Sequence, residues 1–133
     1  MSAFIAGGPG FIGRRLTRSL VAEGETLTVT DIAPQTADFE DLGDKITLVQ
    51  GDISQFDVVM DRMAVAGADR SIKLVYFIGN HRPPFVALKL NIDGMENVFE
   101  AARLTGAKHV VYANSLAVYG LQKHFGERAR DGS

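Results

Sequence analysis

Apolar residues along the chain alternate between short unbroken runs and longer stretches with helical spacing. "SAFIAG" (2–7) is a short apolar run that ends in glycine, as a buried strand does. From Gly10 to Glu23, Phe11, Ile12, Leu16, Leu20 and Val21 suit one helix face with arginines opposite, and Gly24 is placed to stop it. "TLTVTD" (26–31) and "KITLVQGD" (45–52) are β-branched runs that each end on an acid. Ser54 and Asp57 have capping-box spacing, which predicts a helix running to about Gly67.

"SIKLVYFIG" (71–79) predicts a fourth strand. Pro83 and Pro84 open a helix expected to reach about Thr105, since proline is tolerated in a first turn. On that helix Phe85, Leu88, Ile92, Met95, Phe99 and Ala102 form a three-four repeat expected to face the core, with Val86, Leu90 and Val98 elsewhere on its surface. "AKHVVYANS" (107–115) predicts the fifth strand. Strands of near-continuous apolar character are expected to be covered on both faces, which implies a parallel sheet wound with helices. Right-handed crossovers favour the Rossmann-type α/β order 3-2-1-4-5. Residues 1–120 would form this one unit, and 121–133 a polar tail without periodicity.

A length of 133 residues suits a single core. The net charge of −2, from 14 basic and 16 acidic residues, makes no electrostatic case for nucleic acid or an anionic membrane. Cysteine is absent and the three histidines lack ligand spacing, so no metal site is expected. No apolar run approaches the ~18 residues of a membrane span, and the N-terminus lacks signal-peptide features. A cytoplasmic location is the expectation.

The candidate chemistry begins at "GGPGFIG", where Gly7, Gly10 and Gly13 follow a strand and open a helix. A strand-to-helix turn alone would also use glycine, but Asp31 at the end of the next strand makes the combination that of a dinucleotide site. Gly7 permits the tight turn, Gly10 lets backbone approach a pyrophosphate, and Gly13 lets the helix pack on the sheet. Unpaired N–H groups of Phe11 and Ile12 would point at phosphate oxygens. The Asp31 carboxylate would accept hydrogen bonds from the adenosine ribose and repel a 2′-phosphate, so NAD is expected over NADP. Arg14 and Arg15 stand close enough to answer such a phosphate, which keeps NADP open.

Together with "GDI" (51–53), "NIDGMENVFEAAR" (91–103) and "VVYANSLAVYG" (110–120), these motifs resemble the extended short-chain dehydrogenase/reductases. The similarity is closest to the NAD-dependent epimerase/dehydratases that act on nucleotide sugars, and it runs from residue 2 to about 120. The resemblance implies that Asp52 and Ile53 meet the adenine and that Phe77, Ile78 and Gly79 line the cofactor. Ile78-Gly79 departs from the family's usual Ala-Ala. The resemblance makes Asn91 the helix asparagine that braces a neighbouring strand. It makes Ser115 the serine that orients the reacting hydroxyl or carbonyl oxygen.

That family transfers hydride with a Tyr-x-x-x-Lys pair, whose i, i+4 spacing shares a helix face. The spacing occurs at Tyr119 and Lys123, but Tyr119 lies too close to Ser115 and Gly120 weakens a helix there. The family's tyrosine would fall some two dozen residues beyond the serine, past Ser133. The residues are therefore expected to be the N-terminal part of a longer protein, and inactive alone. A homodimer through helix 84–105 is a further implication, because this helix is a common dimer contact in the family. Two other readings stay open: a hydroxysteroid or other alcohol dehydrogenase, and a non-catalytic NAD(H) sensor or scaffold.

Overall fold

In the computed structural model, residues 2–75, 85–86 and 89–113 are described. Five parallel strands form one sheet: β1 (Ser2–Ala6), β2 (Thr26–Asp31), β3 (Ile46–Gln50), β4 (Arg70–Lys73) and β5 (His109–Tyr112). Their order is β3-β2-β1-β4-β5, the order expected from the alternation of elements. The α-helices α1 (Phe11–Ala22), α2 (Phe56–Ala66) and α3 (Gly94–Thr105) pack with it, and residues 85–86 are also helical.

The pleat of β1 divides the core. Phe4 and Ala6 point to the side of α2 and α3, where they meet Val59, Met63, Val98 and Ala102. Ala3 and Ile5 point to the side of α1, where they meet Leu20, Val21, Val29 and Ile72. Phe4 and Ile5 are fully buried, each contributing about 1.5–3 kcal/mol of transfer free energy. Phe39, on the 3-10 turns between β2 and β3, is also buried on the α1 side and anchors that segment.

Helix ends follow local chemistry. α1 stops where Gly24 takes φ of 89° and its N–H bonds the Val21 carbonyl at 2.9 Å. α2 begins differently from expectation. Its N-cap is Gln55, and Ser54 does not cap it; the Ser54 N–H and hydroxyl both donate to Asp52 Oδ1, at 2.9 and 2.8 Å. Two donors to one carboxylate oxygen outcompete the capping box, because Asp52 already lies two residues upstream in an Asx geometry.

The third helix also departs from the sequence reading. A π-helical turn over Lys89–Asp93 precedes α3. Its wider turn breaks the 3.6-residue period, so positions read across it rotate off the expected face. Gly94, Val98, Ala101 and Ala102 are the buried stripe, whereas Phe85, Ile92 and Phe99 are 64%, 50% and 37% exposed. Of the expected core stripe only Ala102 is buried; Met95 is half-buried and Leu88 lies outside the described residues. β5 is likewise open rather than covered on both faces, with Val110, Val111 and Tyr112 exposed. Its ring contact, Phe99 edge-on to Tyr112 at 5.4 Å, joins it to the outer side of α3.

Buried charge is concentrated in β4. Arg70 pairs with the buried Glu25 at the start of β2. Lys73 is buried to 2% exposure, and its ammonium donates to the Val75 carbonyl at 2.7 Å. Desolvation pushes this amine below its ordinary range.

Candidate dinucleotide site

The loop between β1 and α1 is shaped by contacts that leave no room for a side chain at Gly8 or Gly13. Gly7 has φ of 90°, and its N–H bonds the Thr30 carbonyl at 2.9 Å, tying the loop to β2. Its carbonyl accepts from Gly10 N at 3.2 Å, which closes the turn. A Cβ on Gly13 would stand 2.4 Å from both the Gly7 and Gly8 carbonyl oxygens, so only glycine lets α1 sit this close to the strand end. Gly8 is a contact that the motif spacing does not single out: a Cβ there would meet Val29 Cγ1 at 2.1 Å.

Gly10 is the N-cap of α1 and offers no capping side chain, and the first turn holds no acid. The N–H groups of Phe11, Ile12 and Gly13 find no acceptor among the described residues. Phe11 and Ile12 are exposed, at 78% and 59%. This open turn at the positive end of a helix, flanked by close-packed glycine backbone, fits a pyrophosphate.

Asp31 ends β2 and is half-exposed. Its Oδ1 accepts from the Ile32 N–H at 2.7 Å, and Oδ2 meets no donor among the described residues. Its carbonyl accepts from Gly51 N at 2.9 Å, linking it to the "GDI" segment. Asp52 there has one carboxylate oxygen engaged by Ser54. Ile53, expected to meet the adenine, is buried in the core at 3% exposure.

Ile53 is held by α3. Asn97 Nδ2 donates to its carbonyl at 2.8 Å, and Gly94 leaves its Cδ1 the space that a Cβ would fill at 2.7 Å. Asn97, a residue that the sequence reading did not single out, thus braces α3 against this segment. Its signal was the adjacent position on the buried stripe Gly94-Val98-Ala101. Asn91 lies on the π-helical turn, half-buried.

The arginines of α1 are engaged. Arg14 Nη2 meets Asp38 Oδ1 at 2.7 Å, and its Nε donates to the Pro9 carbonyl at 2.7 Å. Arg18 grips Asp41 with both Nη groups, at 2.6 and 3.1 Å, and donates to the Asp38 carbonyl at 3.0 Å. That bond from Arg18 lowers the Asp41 carboxyl's pKa. The Arg15 guanidinium lies over the Phe11 ring, 5.0 Å from its centroid. Phe77, Ile78, Gly79 and Ser115 lie outside the described residues, as do Tyr119 and Lys123. Gly7, Gly10, Phe11, Ile12, Gly13 and Asp31 come together at the C-terminal edge of the sheet, with Asp52 and Ile53 alongside.

Residues 3–133 match the NAD dependent epimerase/dehydratase family. The chain is similar to an N-acetyl-alpha-D-glucosaminyl-diphospho-ditrans,octacis-undecaprenol 4-epimerase of Escherichia coli O157:H7. They are 28% identical over 92% of this chain and 35% of the relative. It is 34% identical to human 3 beta-hydroxysteroid dehydrogenase type 7, over 87% of this chain and 33% of that protein. Among solved structures, the Bordetella bronchiseptica enzyme WbmH in complex with NAD+ superposes with a TM-score of 0.81. It covers 90% of this chain and 41% of the enzyme at 21% identity, a likeness of fold. The chain thus spans about a third of the length of the curated relatives it matches.

Proposed function

The chain belongs to the NAD dependent epimerase/dehydratase family, and from that premise we propose that it forms the cofactor half of an enzyme acting on a nucleotide sugar. The observation that carries this reading is the open first turn of α1 placed beside the unmatched oxygen of Asp31. In this reading the N–H groups of Phe11, Ile12 and Gly13 bind the pyrophosphate, and Asp31 holds the adenosine ribose. Asp52 receives the adenine amine, and Ile53 beside it completes the adenine end of the site. Phe77, Ile78 and Gly79 line the cofactor. When bound, NAD supplies a reversible hydride acceptor. Ser115 donates a hydrogen bond to the reacting oxygen.

Equilibrium titration of NAD into the chain should saturate at one equivalent, and it should fail on Gly13→Ala. Absence of NAD binding would sink the site reading. In a turnover-competent form of the protein, Ser115→Ala should cut kcat while leaving NAD affinity unchanged. An unchanged kcat would favour a non-catalytic NAD(H) sensor.

A hydroxysteroid substrate is the second reading, favoured by the 34% identity to the human 3 beta-hydroxysteroid dehydrogenase. Turnover of a UDP-sugar or of a 3β-hydroxysteroid separates the two. In the proposed reading a homodimer forms through helix 84–105, on the outward Phe85, Ile92 and Phe99. Sedimentation of Phe99→Glu against the native chain reads this directly.

A further inference from the structure

Arg14 spans two elements: its Nε is bonded to the Pro9 carbonyl in the glycine loop, and its Nη2 to Asp38 in the segment that follows Asp31. An adenosine ribose running from pyrophosphate loop to Asp31 would lie between those two elements. Arg14 is therefore the cation placed to meet a phosphate on that ribose. It is not free to do so. The Asp38 side chain is 13% exposed and neutralises the guanidinium at 2.7 Å. Asp38 is itself fixed: the Arg18 fork holds its carbonyl and Asp41, while the next residue, Phe39, is buried beneath α1. Arg15 is turned onto Phe11.

Resting on the dinucleotide reading above, we propose that Asp38 is a specificity-determining residue: by pairing with Arg14 it withdraws a suitably placed cation from the 2′-phosphate of NADP. Asp31 repels that phosphate directly, and Asp38 removes its compensation. Two carboxylates on two different segments thus act on one discrimination, only one of them by touching the ribose.

The test is titration of the chain with NAD and with NADP, read as the ratio of the two dissociation constants. Asp38→Ala should leave NAD affinity within about twofold and improve NADP binding about fivefold, the worth of one freed charge contact of about 1 kcal/mol. Adding Arg14→Gln should abolish that gain, and Arg14→Gln alone should leave the native ratio unchanged. Asp38→Asn, which keeps the shape and removes the charge, should move the ratio in the same direction if Asp38→Ala does not fold. An unchanged ratio in both Asp38 variants overturns the proposal. So does a gain that survives Arg14→Gln, or a loss of NADP affinity in Arg14→Gln alone. Failure of the native chain to bind NAD would remove the underlying site reading, whereas intact NAD binding with an unmoved ratio removes only the role of Asp38.

Discussion

Gly13→Ala sets two effects of opposite sign against each other. Alanine is the better helix former by up to about 1 kcal/mol, less near a helix N-terminus. Against this, the new Cβ would stand 2.4 Å from the carbonyl oxygens of Gly7 and Gly8 and 2.7 Å from the Gly8 carbonyl carbon. A relaxed C···O contact needs roughly 3.3 Å, so both approaches are short by about 0.9 Å. Neither carbonyl swings away cheaply, because Gly7 is tied to Thr30 through its N–H and to Gly10 through its oxygen. α1 must lift instead, which loosens Thr17, Leu20 and Val21 from the core they are buried in. Overpacking of this kind costs about 1–3 kcal/mol. The clash wins, leaving a net loss of about 1–2 kcal/mol and a fall in Tm of roughly 3–8 °C for a chain of this size.

Thermal unfolding followed by circular dichroism measures the loss, with Gly10→Ala as the control. A Cβ at Gly10 comes no nearer than 3.4 Å to Gly7 O, and its φ of −69° suits any residue. Gly10→Ala should therefore lower Tm by less than half as much while still weakening NAD, because it puts a methyl where the pyrophosphate approaches. A Gly13→Ala chain that melts at or above the native temperature would refute the reasoning, since helix propensity would then outweigh the contact.

Asn97→Ala should cost about 1–2 kcal/mol in urea unfolding, since the partly buried bond to the Ile53 carbonyl is lost without replacement. Asp31→Ala should weaken NAD about tenfold by titration with Tm nearly unchanged, because among the described residues its carboxylate holds only the adjacent Ile32 N–H. Lys73 governs alkaline behaviour. Its folded pKa lies below the ordinary 10.5, so the unfolded chain binds the proton more strongly. Stability therefore rises with pH between the lowered folded value and 10.5. Lys73→Met should be more stable than native at pH 7, with the difference shrinking across that window; a constant difference in urea unfolding from pH 7 to 10.5 would contradict the burial of the amine.

Much of the candidate site was legible because it is local. Gly7, Gly10 and Gly13 are spaced by the turn they make, and Asp31 is placed by the end of its own strand. The engagement of Arg14 was not legible, since its partner is 24 residues away on a turn without periodicity. Nor was the exchange of a capping box for an Asx turn at Asp52, because both use residues of the same kind at neighbouring spacings.

The sequence by itself determined the alternation of strands and helices and their winding, because apolar runs and helical periods record which faces leave water, and handedness then restricts the order. It determined the glycine loop too, because backbone that approaches as closely as it does at Gly13 excludes every side chain but hydrogen. Only the tertiary structure decided which face of the third helix is buried, since a π-helical turn shifted a period that extrapolation assumed constant. It also decided that Lys73 is buried, that Asn97 braces Ile53, and that Arg14 is already paired. Each of these is a contact between segments far apart in the chain, and spacing along a sequence holds no record of distance across a fold.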